Sequence, residues 1–230
     1  MCIVVDTMPV SELDSPVLNG RSVEILDAAR DLFAEKGFDG TAISDIARSV
    51  GVADGAIYKH FSSKRAILFQ VIRAFYEPVI ETASTTVTGI PDVRARLRYL
   101  VWLQLRAFAE QPDVCRFIIS EARPMDDYYE SEIADLNRRW TSLLVDVIKE
   151  GQADGTFRSD LPATMVRDVV YGGIEHIAWG AATGHGSLDS GRVADSLTEL
   201  VCTGIEPQGA AVTLNARVTR LEGLVDGADT

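Results

Sequence analysis

The sequence predicts an all-α chain, with an N-terminal three-helix helix-turn-helix domain followed by a larger helical bundle. Three observations predict it. Apolar residues recur at helical spacing along most of the 230 residues. No alternating apolar–polar run of useful length interrupts them. Near the N-terminus a longer periodic segment is followed by two very short ones that meet at Gly51. No internal repeat or low-complexity tract is present.

The elements follow in order. Ser22–Lys36 carries Ile25, Leu26, Ala29, Leu32 and Phe33 on one face, and Gly37 reads as its stop. Thr41 is placed to cap a helix bearing Ile43, Ile46, Ala47 and Val50, and Gly51 breaks it. A second short helix runs from about Asp54 to Phe61. Ser62 or Ser63 caps a third, with Ile67, Leu68, Val71, Ile72 and Phe75 as its apolar face, and Pro78 is expected to bend or end it.

Beyond Pro91 the segments lengthen. Val93, Leu97, Leu100, Val101 and Phe108 mark one helix; Pro112 opens a shorter one, broken at Arg123-Pro124. Ile133 to Val147 mark a long helix expected to end at Gly151, before an Asp154-Gly155 turn. Val166 to Ile177 mark another, ending near Gly184, and Val193, Leu197, Leu200 and Val201 mark the last large one. The domain reading is therefore an arm at 1–19 without order of its own, a helix-turn-helix domain at 20–67, a regulatory and dimerisation bundle at 68–206, and a tail at 207–230 with room for one short helix.

Composition narrows the functional classes. The chain is 47% apolar and 24% charged, ordinary for a soluble domain, with a net charge of −12. That sum speaks against a nucleic-acid partner, but its distribution does not. Residues 21–75 hold eight bases and seven acids, whereas residues 76–230 hold fourteen bases and twenty-four acids. Between Gly55 and Phe75 there are four bases (Lys59, Lys64, Arg65 and Arg73) and no acid. A small cationic face on an acidic body binds DNA through the face and discourages adhesion elsewhere. Cys2, Cys115 and Cys202 form no zinc or CxxC pattern, so neither metal nor cofactor is expected, and a reducing cytoplasm is the simplest location. No signal peptide and no transmembrane run is recognisable, so no membrane partner is expected.

A helix-turn-helix constrains its second helix, which must enter the major groove with an outer face that is neither bulky nor apolar. In Val52–Phe61, Val52, Ile57 and Phe61 can face inward. Gly55 and Ala56 permit close approach, and Tyr58, Lys59 and His60 supply donors. Together with Ile25-Leu26-Asp27-Ala28-Ala29, Leu32–Phe38, Thr41, Ile46-Ala47, Gly51-Val52, Gly55–Phe61 and Lys64, the segment resembles the TetR family of transcriptional regulators over about fifty contiguous residues. The resemblance implies phosphate contacts from Thr41, Tyr58, His60 and Lys64, with Gly55, Ala56 and Lys59 toward base edges. Ala53 and Asp54 depart from the polar or basic pair common in the family at the start of this helix. Asp54 suits the helix dipole but would repel a nearby phosphate.

The second domain would then be the family's regulatory bundle. A single reading head covers too few bases for useful specificity, which calls for a homodimer on a palindromic double-stranded operator, its heads about 34–36 Å apart. Gly172, Gly173, Ala178, Gly180 and Ala181 crowd one helix with small residues. With Val193, Leu197, Leu200 and Val201 on the next, they suggest an interface of two helices from each chain. Candidate residues for a small-molecule site are Trp102, Phe108, Phe117, Trp140, His176 and Trp179, with Arg106 and Arg123 as anionic anchors.

Ser120–Arg123, Trp140, Gly151–Leu161, Gly172-Gly173-Ile174 and Trp179 are similar to the regulatory domain of fatty-acid-metabolism repressors in the same family. That similarity implies a long-chain acyl-CoA effector. Such a ligand would place its acyl chain in an apolar tunnel and its phosphates near Arg.

The catalytic inventory is thin. His60, His176 and His185 are far apart, no GxSxG or HExxH occurs, and no enzyme is expected. The expected function is a ligand-released repressor. The rivals are a DNA-binding regulator controlled by a protein partner, which predicts a solid core, and a helical enzyme, which predicts ionisable groups converging in a cleft.

Overall fold

The computed structural model describes residues 20–207, so the expected arm at 1–19 and all of the expected tail beyond Pro207 lie outside the described residues. Among the described residues there are nine α-helices and no strand: α1 (Gly20–Gly40), α2 (Ile43–Ser49), α3 (Asp54–Ile57), α4 (Lys64–Gly89), α5 (Val93–Glu110), α6 (Pro112–Phe117), α7 (Glu132–Ala153), α8 (Ala163–Ala182) and α9 (Ser190–Ile205). A π-helical turn, Ile118–Ala122, continues α6, and a short 3₁₀ turn, Tyr128–Glu130, precedes α7.

The head is α1–α3 and the start of α4. Ile25, Leu26, Ala29 and Phe33 of α1, Ile46 and Ala47 of α2, Ile57, Phe61, and Ile67 and Leu68 of α4 are buried together. Gly37 has φ +76° and kinks the end of α1, as its position in the sequence suggested. Thr41 is not the cap of α2. Ala42 occupies that place, and the Asp45 carboxylate accepts from the Ala42 N–H at 3.2 Å. At the other end Gly51, with φ +70°, closes a Schellman turn. Its N–H donates to Arg48 O and that of Val52 to Ala47 O. That turn sets the angle between α2 and α3.

The structure narrows one sequence expectation about breaks and corrects another. Pro78 lies inside α4, which runs on to Gly89. Tyr76 before it and Val79, Ile80 and Ala83 after it are buried, so core packing holds both halves against the roughly 3 kcal/mol a helical proline costs. Gly151 does not end α7, which continues to Ala153. The glycine is needed there because a Cβ would lie 2.2 Å from the ring of Phe157, which folds back onto the helix.

In the body α5 packs along α7, α8 and α9, and α4 along α7. Because α4 belongs to both parts, the core is continuous from head to body. A second connection runs through α6. Phe117 meets Phe33 edge-on with centroids 6.1 Å apart, and Arg116 donates to Ala34 O at 3.2 Å. The loop after the π-turn adds an Arg65–Asp127 pair at 2.6 Å.

Candidate nucleic-acid interface and inner cavity

The expected reading helix is shorter than its periodicity suggested: α3 is Asp54–Ile57, and hydrogen-bonded turns carry the chain to Phe61. Ile57 and Phe61 are buried and anchor it. Gly55, Tyr58, Lys59 and His60 are exposed on the tip, Ala56 is half-buried, and nothing lies within 4 Å of where a Gly55 Cβ would stand. Tyr58 is 56% exposed, so it is not a core residue. His60 Nδ1 lies 3.0 Å from Ser22 Oγ, which ties the tip to α1.

Two residues expected at phosphates are employed elsewhere. Thr41 is buried, and its hydroxyl donates to Gly37 O at 2.8 Å and Leu32 O at 3.1 Å. Lys64 Nζ donates to Phe38 O at 2.7 Å and Thr41 O at 3.0 Å while lying over the Phe38 ring. Both side chains pin the loop after α1 by donating to backbone carbonyls there. Arg48, exposed at the end of α2 beside the tip, was not singled out from the sequence; its charge was the only signal available. Asp45 pairs with it, and the Ala42 N–H together with Lys36 and Arg48 holds the Asp45 carboxyl below its ordinary range.

Behind the head, α4–α8 and the π-turn enclose a cavity of about 330 Å³, at the lower end of the range for small-molecule sites. Of the eight candidates, Phe108, Arg123 and Trp140 line it. The others do not, for geometric reasons. Gln104 and Phe108 face the cavity from α5, so Trp102 and Arg106, two residues out of phase, lie on another face, where Arg106 covers Trp102 and pairs with Glu110. Phe117 is buried against Phe33 at the junction with the head. His176 and Trp179 are exposed on the outer side of α8.

The wall also holds residues the sequence gave no reason to choose. Phe75 and Tyr76 enter from α4, Asn137 from α7, and Tyr171 and Glu175 from α8. Their polar atoms pair across helices. The Tyr76 hydroxyl donates to Asn137 Oδ1 at 3.1 Å, and Trp140 Nε1 donates to Gln104 Oε1 at 2.6 Å. Arg123 forks onto both Glu175 oxygens at 2.8 and 2.6 Å. Burial works against the Arg123 charge, but the Glu175 bonds outweigh it and hold the guanidinium firmly protonated. Burial pushes the Cys115 thiol, also in the wall, up to about 12. The Tyr171 hydroxyl is buried without a partner.

The outer face of α8 and α9 is unusually apolar. Met165, Val169, Ile177, Trp179 and Leu200 are all exposed, Leu200 to 71%. A Cβ at Gly172 or Gly173 would meet nothing within 4 Å, so these glycines serve no close contact inside the chain. Ala178, by contrast, is fully buried in its own protomer. Val193, Leu197 and Val201 pack mainly on their own core, and Gly180 accommodates the His185 carbonyl. Ala181 is half-buried.

A head of this geometry on a cavity-bearing bundle matches two family models in chain order. Residues 25–71 match the bacterial regulatory proteins of the tetR family, and residues 91–205 match the tetracyclin repressor-like C-terminal domain. The chain belongs to the TetR family. It is thus a helix-turn-helix transcriptional regulator, as the sequence predicted.

Among relatives of this TetR-family chain, the transcriptional repressor KstR2 of Rhodococcus jostii is 28% identical over 196 residues, covering 84% of this chain and 94% of that protein. FadR of Bacillus subtilis, solved in complex with stearoyl-CoA, is 23% identical with a TM-score of 0.72, covering 80% of this chain and 99% of that one. KstR2 of Mycobacterium tuberculosis, a ketosteroid transcriptional regulator, is 25% identical with a TM-score of 0.64, covering 84% and 98%. No described helix is long and apolar enough to cross a membrane.

Proposed function

We propose that this TetR-family regulator is a homodimeric, non-enzymatic cytoplasmic repressor that leaves its palindromic operator when an amphipathic effector fills the cavity. The observation that carries this reading is the shared wall: Phe75 and Tyr76 of α4 line the cavity, and the same helix begins in the head with Lys64, Ile67 and Leu68. An occupant that favours a different setting of α4 changes the separation of the two heads. The driving force is the difference in the effector's affinity for the two settings.

The relatives named as repressors favour repression over activation. The apolar face of α8 and α9, with Gly172, Gly173 and Leu200 open on it, supports pairing with a second copy. A CoA thioester is the effector we favour, because FadR was solved with stearoyl-CoA and this cavity's mixed lining sets Phe75, Phe108 and Ile118 together with Arg123 and Arg167. Control by a protein partner alone is less favoured, since it calls for a solid core.

The test begins with selection of genomic duplexes by the purified protein. Anisotropy on the selected duplex then follows titration with decanoyl- and palmitoyl-CoA at one fixed salt concentration. Release by either, with scrambled duplex unaffected, is expected. Tight operator binding that neither thioester disturbs would remove the effector assignment and keep the DNA-binding regulator.

A further inference from the structure

The cavity is graded in burial. Phe108, Cys115 and Ile118 are buried at its floor, while Asp168 and Gly172 are exposed at its edge. Arg123 and Glu175 are intermediate, with side chains 34% and 27% exposed, so their ion pair stands between floor and edge. An amphipath that places its apolar part on the floor therefore leaves its polar part level with this pair.

The pair occupies the donors such a ligand would seek. A guanidinium presents a planar fork suited to a carboxylate or another oxygen acceptor, and Glu175 fills it with two short bonds. Glu175 sits close enough to solvent to be rehydrated when it lets go, whereas Arg123 stays partnered if the incoming group replaces the carboxylate.

We propose that Glu175 is an internal stand-in for the effector. In the free protein it holds the Arg123 fork, and it yields that fork to an oxygen acceptor of the bound ligand, a carboxylate or the carbonyl of a carboxylic thioester. This rests on the effector reading above and names the group that the site selects. A purely apolar ligand gains nothing from opening the pair and is disfavoured.

The exchange also reaches the head. Arg123 directly follows the π-turn whose Ile118 and Ile119 line the cavity, and Phe117 and Arg116 just before that turn hold α1.

The experiment measures binding of decanoyl-CoA and of free decanoate to the full chain, by calorimetry, for the wild type, Glu175→Gln and Arg123→Lys. The two probes separate the thioester from the carboxylate. For whichever binds, E175Q is expected to bind about five- to tenfold tighter, because a neutral amide competes less well for the fork, and R123K about tenfold weaker. Tighter binding is a change that damage to the fold would not produce. Wild-type binding with E175Q unchanged or weaker, or with R123K as tight as the wild type, overturns the stand-in while leaving the effector reading intact. No saturable binding of either probe to the wild type or E175Q removes both.

Discussion

At the scale of single residues, the tip of the head presents one ammonium without a partner. Lys59 has no acidic or carbonyl partner among the described residues. The other bases of the head and of the start of α4 are engaged: Arg21 with Glu24, Arg30 with Asp27, Lys36 and Arg48 with Asp45, Arg65 with Asp127, Arg73 with Glu77, and Lys64 with two carbonyls. Charge counting in the sequence showed a cationic stretch but not which charge was left over, since that depends on partners brought in by folding. Lys59→Ala is expected to weaken operator binding about tenfold and to reduce the slope of log K against log salt by about one, measured by anisotropy across a salt series. A loss confined to the operator, with scrambled duplex unaffected, would place Lys59 on a base edge instead. Thr41 and Lys64 show the converse: polar residues that the family pattern sets toward DNA have donors engaged in closing a loop.

At the scale of elements, helix existence was legible and helix ends were less so. Ends depend on contacts from elsewhere in the chain. Gly51 ends a turn after α2 and Gly37 kinks α1, because each adopts positive φ that a side chain would strain. Gly151 looks the same in sequence but stays helical, and is small because Phe157 packs on it. Gly151→Ala should therefore destabilise the protein by about 1–3 kcal/mol, despite alanine's better helix propensity, because the buried ring has little room to retreat. Thermal or urea unfolding followed by circular dichroism checks this, and a stabilised variant would show that the ring moves freely. The cavity has the same origin. Trp102 and Phe108 look alike as aromatic residues on α5, but only the phase of that helix against α7 and α8 decides which one meets the enclosed space.

For the whole molecule, the open question is the partner surface. Val169 and Leu200 are the most exposed of the large apolar residues on α8 and α9. If the proposed homodimer pairs through this face, Val169→Glu combined with Leu200→Glu converts a dimer of 25.0 kDa chains into monomers in sedimentation analysis. Operator affinity should fall at the same time, because single heads lose the joint grip on two half-sites. Since both side chains point away from their own core, the helical spectrum should be unchanged. A dimer that survives both charges would place the interface elsewhere.

The sequence by itself determined the all-α class, the helix-turn-helix and its family. All three rest on local information: apolar spacing, the glycine between two short helices, and about fifty residues in a recognisable order. Tertiary structure decided where the members of that pattern are placed. It drew Thr41 and Lys64 into the loop, turned Ala178 inward and left Gly172 open, and brought Arg123 against Glu175 from fifty-two residues away. Each outcome depends on which surfaces meet when helices pack, and helical periodicity gives the face a residue occupies but not what that face will touch.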